Sequence, residues 1–275
     1  MKHKPFPFSD AALARRLERA EARGNADFVN ARAEIFPDFG AEWIDVAGVY
    51  AMYDGRTSPL TQTFGLGLFD EVTQSEMEAI ESFFQRHDAP VFHEVSPLAN
   101  PAVLPLLTER GYFPIELTNV LYRPIEAEFE ENQIENTNVS VRIIEKREER
   151  QWAEIAARGW NEFSGLTGFM VEFGKISAAR NYAISFFAEL DGRPIATAAL
   201  CIYDGIALLA GASTIPEARK RGAQLALHDA RLKYAATNGC DLAMMCALPG
   251  SGSQRNAERH GFRIAYTRTK WKLRS

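Results

Sequence analysis

Apolar residues recur along this chain at two spacings, every second residue or every third and fourth, and the switches between them lay out strands and helices in turn. In the first half, residues 11–23 read as a helix, 42–53 as one or two strands ending at the turn Asp54-Gly55, and 62–69 as a further strand. A helix is predicted over 76–87, a strand over 91–95, a short helical segment within 100–110 and a strand over 111–123. The second half opens with an alternating strand at 139–144 and a helix at 148–160 that sets Trp152, Ile155, Ala156 and Trp160 on one side. Two strands, 182–189 and 195–203, flank Asp191-Gly192, a dipeptide suited to the left-handed backbone of a two-residue hairpin turn. Another strand follows at 206–212. Within 223–237, Ala223, Ala226, Leu227, Ala230 and Tyr234 make one helical face, while Leu225 and Leu232 lie opposite and predict a second covered side. Asn238-Gly239 marks the end of that helix. The continuously apolar run 242–248 reads as a strand buried on both faces, with Met244 and Met245 in the core.

One succession occurs twice. GYFPIELTNVLYR at 111–123 and GFRIAYTRTKWKL at 261–273 each follow a strand and a short helical segment, the second of which covers 253–260. The shared order of elements predicts a duplicated domain. The acidic, Asn-rich stretch between the copies has little periodicity and reads as a linker. The expected division is 1–126, a linker at 127–138, and 139–275.

A length of 275 residues accommodates two such cores. A net charge of −5 argues against a nucleic-acid partner reached through the overall field, while leaving room for a local basic site. Cys201, Cys240 and Cys246 are too few and too irregularly spaced for a disulfide framework or a zinc centre, and read as thiols in a reducing, cytoplasmic setting. His228 and His260 lack partners at metal-ligand spacing, so no metal is expected. No apolar run reaches about 18 residues, so neither a membrane span nor an export signal is predicted.

The candidate chemistry lies between the strand at 206–212 and the helix at 223–237, where the chain reads Pro-Glu-Ala-Arg-Lys-Arg-Gly-Ala-Gln from Pro216 to Gln224. A glycine-punctuated basic turn that opens a helix gathers unpaired N–H groups and the positive end of the helix dipole at one point, where an anion is stabilised. The corresponding place in the first half carries Asp70 and Glu71, so only the second copy is expected to bind an anion.

The strand, this turn, the helix, the apolar strand and a final helix ending in Gly-Phe together resemble the GNAT N-acetyltransferase superfamily. That family's signature is Gln or Arg, two residues, Gly, one residue, then Gly or Ala. Arg219, Gly222 and Gln224 stand in those places, and Gln224 departs from the small residue usual there, adding a side-chain contact or narrowing the turn. The resemblance implies an α/β (α+β) fold of two GNAT-like domains in tandem, each a mixed, mainly antiparallel sheet flanked by helices, with a degenerate first copy.

It further implies a sheet that parts between the strand at 206–214 and the one at 242–248, with acetyl-CoA in the wedge. The pantetheine arm would pair with the backbone of Ser213, Thr214 and Ile215. The pyrophosphate would rest on Arg219, Lys220, Arg221, Gly222, Ala223 and Gln224, and Asn256 would touch the cofactor or cap its helix. Transfer to the amine of a small-molecule acceptor would be direct, with a backbone N–H near Thr214 or Ile215 on the oxyanion.

Glu162 is the expected base, with Glu172 and Glu189 as rivals. The tyrosine that often protonates the leaving thiolate is replaced by Ala257, so Ser253, Tyr266 or water would serve, or the thiolate would leave unaided. Trp160, Phe163, Phe169 and Phe173 line an acceptor pocket or pack the helices. A non-catalytic acyl-CoA-binding protein is the alternative, and an aminoacyl transferase using charged tRNA is disfavoured by the acidic balance. A monomer or homodimer fits equally.

Overall fold

A computed structural model describes residues 4–126, 138–160 and 167–274. In chain order the elements are α1 (Ala11–Ile35), β1 (Glu42–Val46), β2 (Val49–Tyr53), β3 (Gln62–Phe64), α2 (Gln74–Arg86), β4 (Phe92–Val95), α3 (Val103–Glu109) and β5 (Tyr112–Pro124). They continue with β6 (Val139–Ile143), α4 (Glu149–Gly159), α5 (Thr167–Ala179), β7 (Ala183–Leu190), β8 (Arg193–Tyr203) and β9 (Ile206–Thr214). The last are α6 (Ala223–Thr237), β10 (Leu242–Ala247), α7 (Gly252–Arg259) and β11 (Arg263–Leu273).

The chain divides into two compact units, one of Met1–Pro5 with Arg123–Met245 and one of Phe6–Tyr122 with Cys246–Ser275. The last thirty residues, Cys246–Ser275, fall in the unit of Phe6–Tyr122. The reason is strand pairing: β11 is antiparallel to β4 (Thr269 opposite Val95) on one side and to β5 (Leu273 opposite Tyr112, Arg263 opposite Tyr122) on the other. The closing strands of the two sequence repeats thus pair with each other.

In the unit of Phe6–Tyr122 and Cys246–Ser275 the strand order is β1-β2-β3-β4-β11-β5. Only β3–β4 is parallel, with Thr63 opposite His93. The β1–β2 turn carries Ala47 and Gly48 at φ 51° and 76°, the left-handed pair of a tight hairpin. Helix α1 runs twelve residues beyond the expected end at Arg23, through a buried Gly24, because Ala26, Val29 and Ala31 extend its apolar face. A capping box between Thr73 and Glu76 starts α2, and Met77, Ile80, Phe83 and Phe84 bury its inner face. Strand β3 ends at Phe64, short of the expected residue 69, where Gly65 and Gly67 take positive φ.

In the unit of Arg123–Met245 the order is β10-β9-β8-β7-β6, all antiparallel except β9–β10. Each unit is therefore a mixed, mainly antiparallel sheet with helices. Trp152 of α4 is 1% exposed and donates its indole N–H to Phe186 O at 3.0 Å, fixing α4 on the sheet. Leu232 of α6 is fully buried and Leu225 partly so, in agreement with a helix covered on two sides. Met244 and Met245 are core residues.

Candidate acyl-donor site

Strand β9 carries the site. Its parallel register with β10 runs only from Ile206 opposite Leu242 to Leu208 opposite Met244, although β9 continues to Thr214. On its other edge β9 stays paired with β8, but Thr197 faces Ser213 while Ala199 faces Ala210, so β9 holds one extra residue there. That bulge contains Gly211 at φ 60°, a conformation that suits glycine. The two strands thus part where β9 bends.

Beyond the bulge the ladder decides which amides face the gap. Ile215 N–H donates to Ile195 O at 3.0 Å. In an antiparallel pair, bonded and non-bonded positions alternate, so Thr214, opposite Ala196, turns its N–H and C=O away from β8 and toward the parted edge. This corrects the expectation for Ile215, whose amide is already committed within the sheet. The Ser213 side chain is also committed: its hydroxyl pairs with Thr197 Oγ1 at 3.0 Å and donates to Ala156 O at 3.2 Å.

The turn after β9 is built for exposed amides. Pro216–Ala218 forms a single 3₁₀ turn, Lys220 and Gly222 take φ 64° and 84°, and Gly222 caps α6 without a side-chain bond. The first helical bond is Ala226 N–H to Gly222 O at 3.0 Å, and Arg219 N–H turns back to Pro216 O at 3.3 Å. Among the described backbone bonds none uses the N–H groups of residues 220–225. Left-handed residues alternating with others gather such amides into a concavity that favours anions, and Ala223 lies buried beneath it.

Side chains anchor the turn. Gln224 donates from Nε2 to Thr214 Oγ1 at 2.8 Å, the side-chain contact expected of a residue larger than Gly or Ala. Arg219 donates to Gly159 O at 3.2 Å, closing the C-terminus of α4, and Arg158 pairs with Glu217. Gly159 has to be glycine for space: a Cβ would meet Ser213 Oγ at 2.5 Å and Thr214 N at 3.0 Å. Lys220 and Arg221 are exposed.

The remaining predicted residues distribute otherwise. Ser253 and Asn256 lie on α7, in the unit of Phe6–Tyr122 and Cys246–Ser275, with Ser253 exposed in the first turn and Asn256 partly buried. Ala257 is fully buried there. Tyr266, 7% exposed, donates its hydroxyl to Glu18 at 2.9 Å, and burial lifts its pKa well above the usual phenol range, so it is committed to its own core. Glu162 and Phe163 lie outside the described residues. Glu189 accepts from Arg142 at 2.9 Å, which withdraws it as a base, and Glu172 is partly buried on α5. Phe169 and Phe173 contact each other at 5.8 Å between ring centroids. Among the described residues no group of three His, Cys, Asp or Glu side chains is arranged to hold a metal, and no helix is long and apolar enough to cross a membrane.

Arg231 was missed by sequence reasoning. It follows Ala223 and Leu227 at four-residue intervals on the buried face of α6, and a cation in that stripe was the available signal.

Each unit holds mixed, mainly antiparallel strands, and in one of them a parallel pair parts before the glycine-capped start of α6. The description of the Acetyltransferase (GNAT) family fits residues 148–262. Those residues belong to the GNAT superfamily, and the whole chain has the tandem form of its fold. A GCN5-related N-acetyltransferase from Kribbella flavida superposes with a TM-score of 0.68 at 18% identity, over 95% of this chain and 96% of that one. A GCN5-related N-acetyltransferase from Sphaerobacter thermophilus gives 0.52 at 17% identity, over 93% and 92%. A tandem GNAT protein from the clavulanic acid biosynthesis pathway gives 0.54 at 10% identity, over 91% and 94%. The sequence matches none of the curated proteins compared with it.

Proposed function

We propose that this protein is an acyl-CoA-dependent N-acyltransferase that moves an acetyl group from acetyl-CoA to a primary amine of a small molecule by direct attack. The observation that carries the reading is the set of amides at residues 220–225, placed at the end of a strand whose neighbour has parted from it. Pyrophosphate would be held by those amides with Arg221 and Lys220 around it, and Thr214 would offer its C=O to a pantetheine amide N–H as an added strand does. Acetyl-CoA supplies an activated thioester.

The chain's own contribution is to orient and polarise. The Thr214 N–H is the candidate donor to the developing oxyanion, worth about 3 kcal/mol where such donors are preorganised. Glu162 is retained as the candidate base and Ser253 as the candidate acid. Ser253→Ala is expected to lower kcat while acyl-CoA affinity stays within about threefold. Unchanged turnover removes Ser253 from the mechanism.

Two observations favour a second reading, a binding protein without turnover: Ala257 stands where a proton-donating tyrosine is usual, and the Tyr266 hydroxyl is held by Glu18. Release of free CoA thiol with a panel of amines separates the two. Amine-dependent release supports transfer. Tight acetyl-CoA binding with no release from any amine supports the binding protein.

A further inference from the structure

We propose that Arg231 is a positioning residue that pins the β8–β9 bulge and thereby sets acyl-CoA affinity without touching the cofactor, an inference that rests on the acyl-CoA reading above. Arg231 is 1% exposed. Its Nε donates to Leu227 O at 3.0 Å within α6, and its Nη1 donates to Ala199 O on β8 at 3.2 Å and to Ala210 O on β9 at 3.4 Å. Ala199 and Ala210 face each other at the step where the register shifts, immediately before the extra residue.

Regular ladders use their carbonyls between strands, within the plane of the sheet. A bulge tilts them, and a tilted carbonyl facing a helix needs a donor from that helix. One guanidinium supplies both strands at once. Burial lowers the Arg231 pKa to about 9, with no carboxylate among the causes, yet it remains a cation at neutral pH. A charge kept inside the unit for carbonyls alone would be better replaced by an apolar side chain if only stability were served. What it fixes is the bend of β9, four residues before Thr214, and with it the direction in which the Thr214 amide edge is presented. A side chain that bridged one strand only would leave the other free to straighten.

The test compares the full-length wild type with Arg231→Met and Arg231→Lys, the latter guarding against a failure of the former to fold. Three quantities are read: acetyl-CoA affinity by calorimetry, affinity for adenosine 3′,5′-bisphosphate, which lacks the pantetheine arm, and amide exchange across residues 210–214. The expected result is acetyl-CoA binding weakened by about tenfold in Arg231→Met and less in Arg231→Lys, with the bisphosphate changed by less than about twofold and exchange faster at 210–214 than at 206–208. Equal weakening of both ligands would show general destabilisation and overturn the inference. Unchanged acetyl-CoA affinity in folded variants would overturn it as well. A wild type that binds no acetyl-CoA would instead overturn the acyl-CoA reading, and unaltered exchange at 210–214 would then also refute the pinning.

Discussion

Three carboxylates, Glu18, Glu21 and Glu94, converge on one buried guanidinium, Arg268, inside the unit of Phe6–Tyr122 and Cys246–Ser275. Arg268 binds Glu21 through two bonds of 2.6 and 2.9 Å, pairs with Glu94 at 2.9 Å and with Glu18 at 3.4 Å, and Lys270 lies 3.4 Å from Glu94. Three anions against two cations leave one proton to be held. Burial, against the pull of Arg268, lifts the Glu18 pKa from 4.5 to about 7, so Glu18 takes up that proton on the acid side of neutrality, while Arg268 outweighs burial at Glu21 and keeps it below its ordinary value. A group whose folded pKa is raised contributes stability that is fully present below the unfolded pKa and is lost as pH rises through the folded one. Glu18→Gln removes that dependence. Its advantage over the wild type in urea midpoint should therefore grow between pH ~5 and pH ~8, by about 2–3 kcal/mol of unfolding free energy. A difference that is flat with pH would show that Glu18 is ionised throughout. His93 works in the opposite direction: burial pushes it down to about 3, so the folded state refuses a proton that the unfolded chain accepts below 6.5, and acid destabilises the fold.

Among elements, α4 and β9 meet through Gly159, and that close approach fixes the strand end that leads into the turn of residues 216–222. Gly159→Ala places a Cβ against Ser213 and the Thr214 backbone, so strand and helix must separate. The expected cost is about 1–3 kcal/mol in chemical denaturation, together with weaker acetyl-CoA binding. Retained stability would mean that α4 shifts freely. Elements with their own end signals were legible in the sequence: α6 matches its expected span because Gly222 and Asn238-Gly239 bound it, and the β7–β8 hairpin is set by Asp191-Gly192. Helix α5 was not legible, since Phe169, Met170, Val171, Phe173 and Ile176 are apolar on several sides and give no period. The extension of β9 past residue 212 was not legible, because its bulge interrupts the apolar alternation. The turn was legible from Arg219 to Gln224, whereas the commitment of the Ile215 amide depends on β8 register and has no local sign.

For the whole molecule, the informative feature is that β11 completes the unit containing the early part of the chain. No local pattern specifies that partner, because a strand's alternation fixes its faces and leaves its neighbours open. Removing Cys246–Ser275 takes the strand between β4 and β5 out of that unit, together with Arg268, and strands Glu18, Glu21 and Glu94 without their cation. Such a truncated chain is expected to lose amide protection in α1 and β1–β5. Native protection there would refute the assignment of β11. The central claim, that the turn after β9 holds an acyl-CoA, is tested most directly by the thermal unfolding of the wild type and Gly222→Asp with acetyl-CoA. At about 100 times the dissociation constant, binding to the native state adds about 2.7 kcal/mol, a shift of a few degrees for a chain of this size. The account predicts that shift in the wild type and none in Gly222→Asp, which puts a carboxylate and a strained backbone where the anion would rest. A folded wild type whose midpoint does not move, or an equal shift in both proteins, would contradict it.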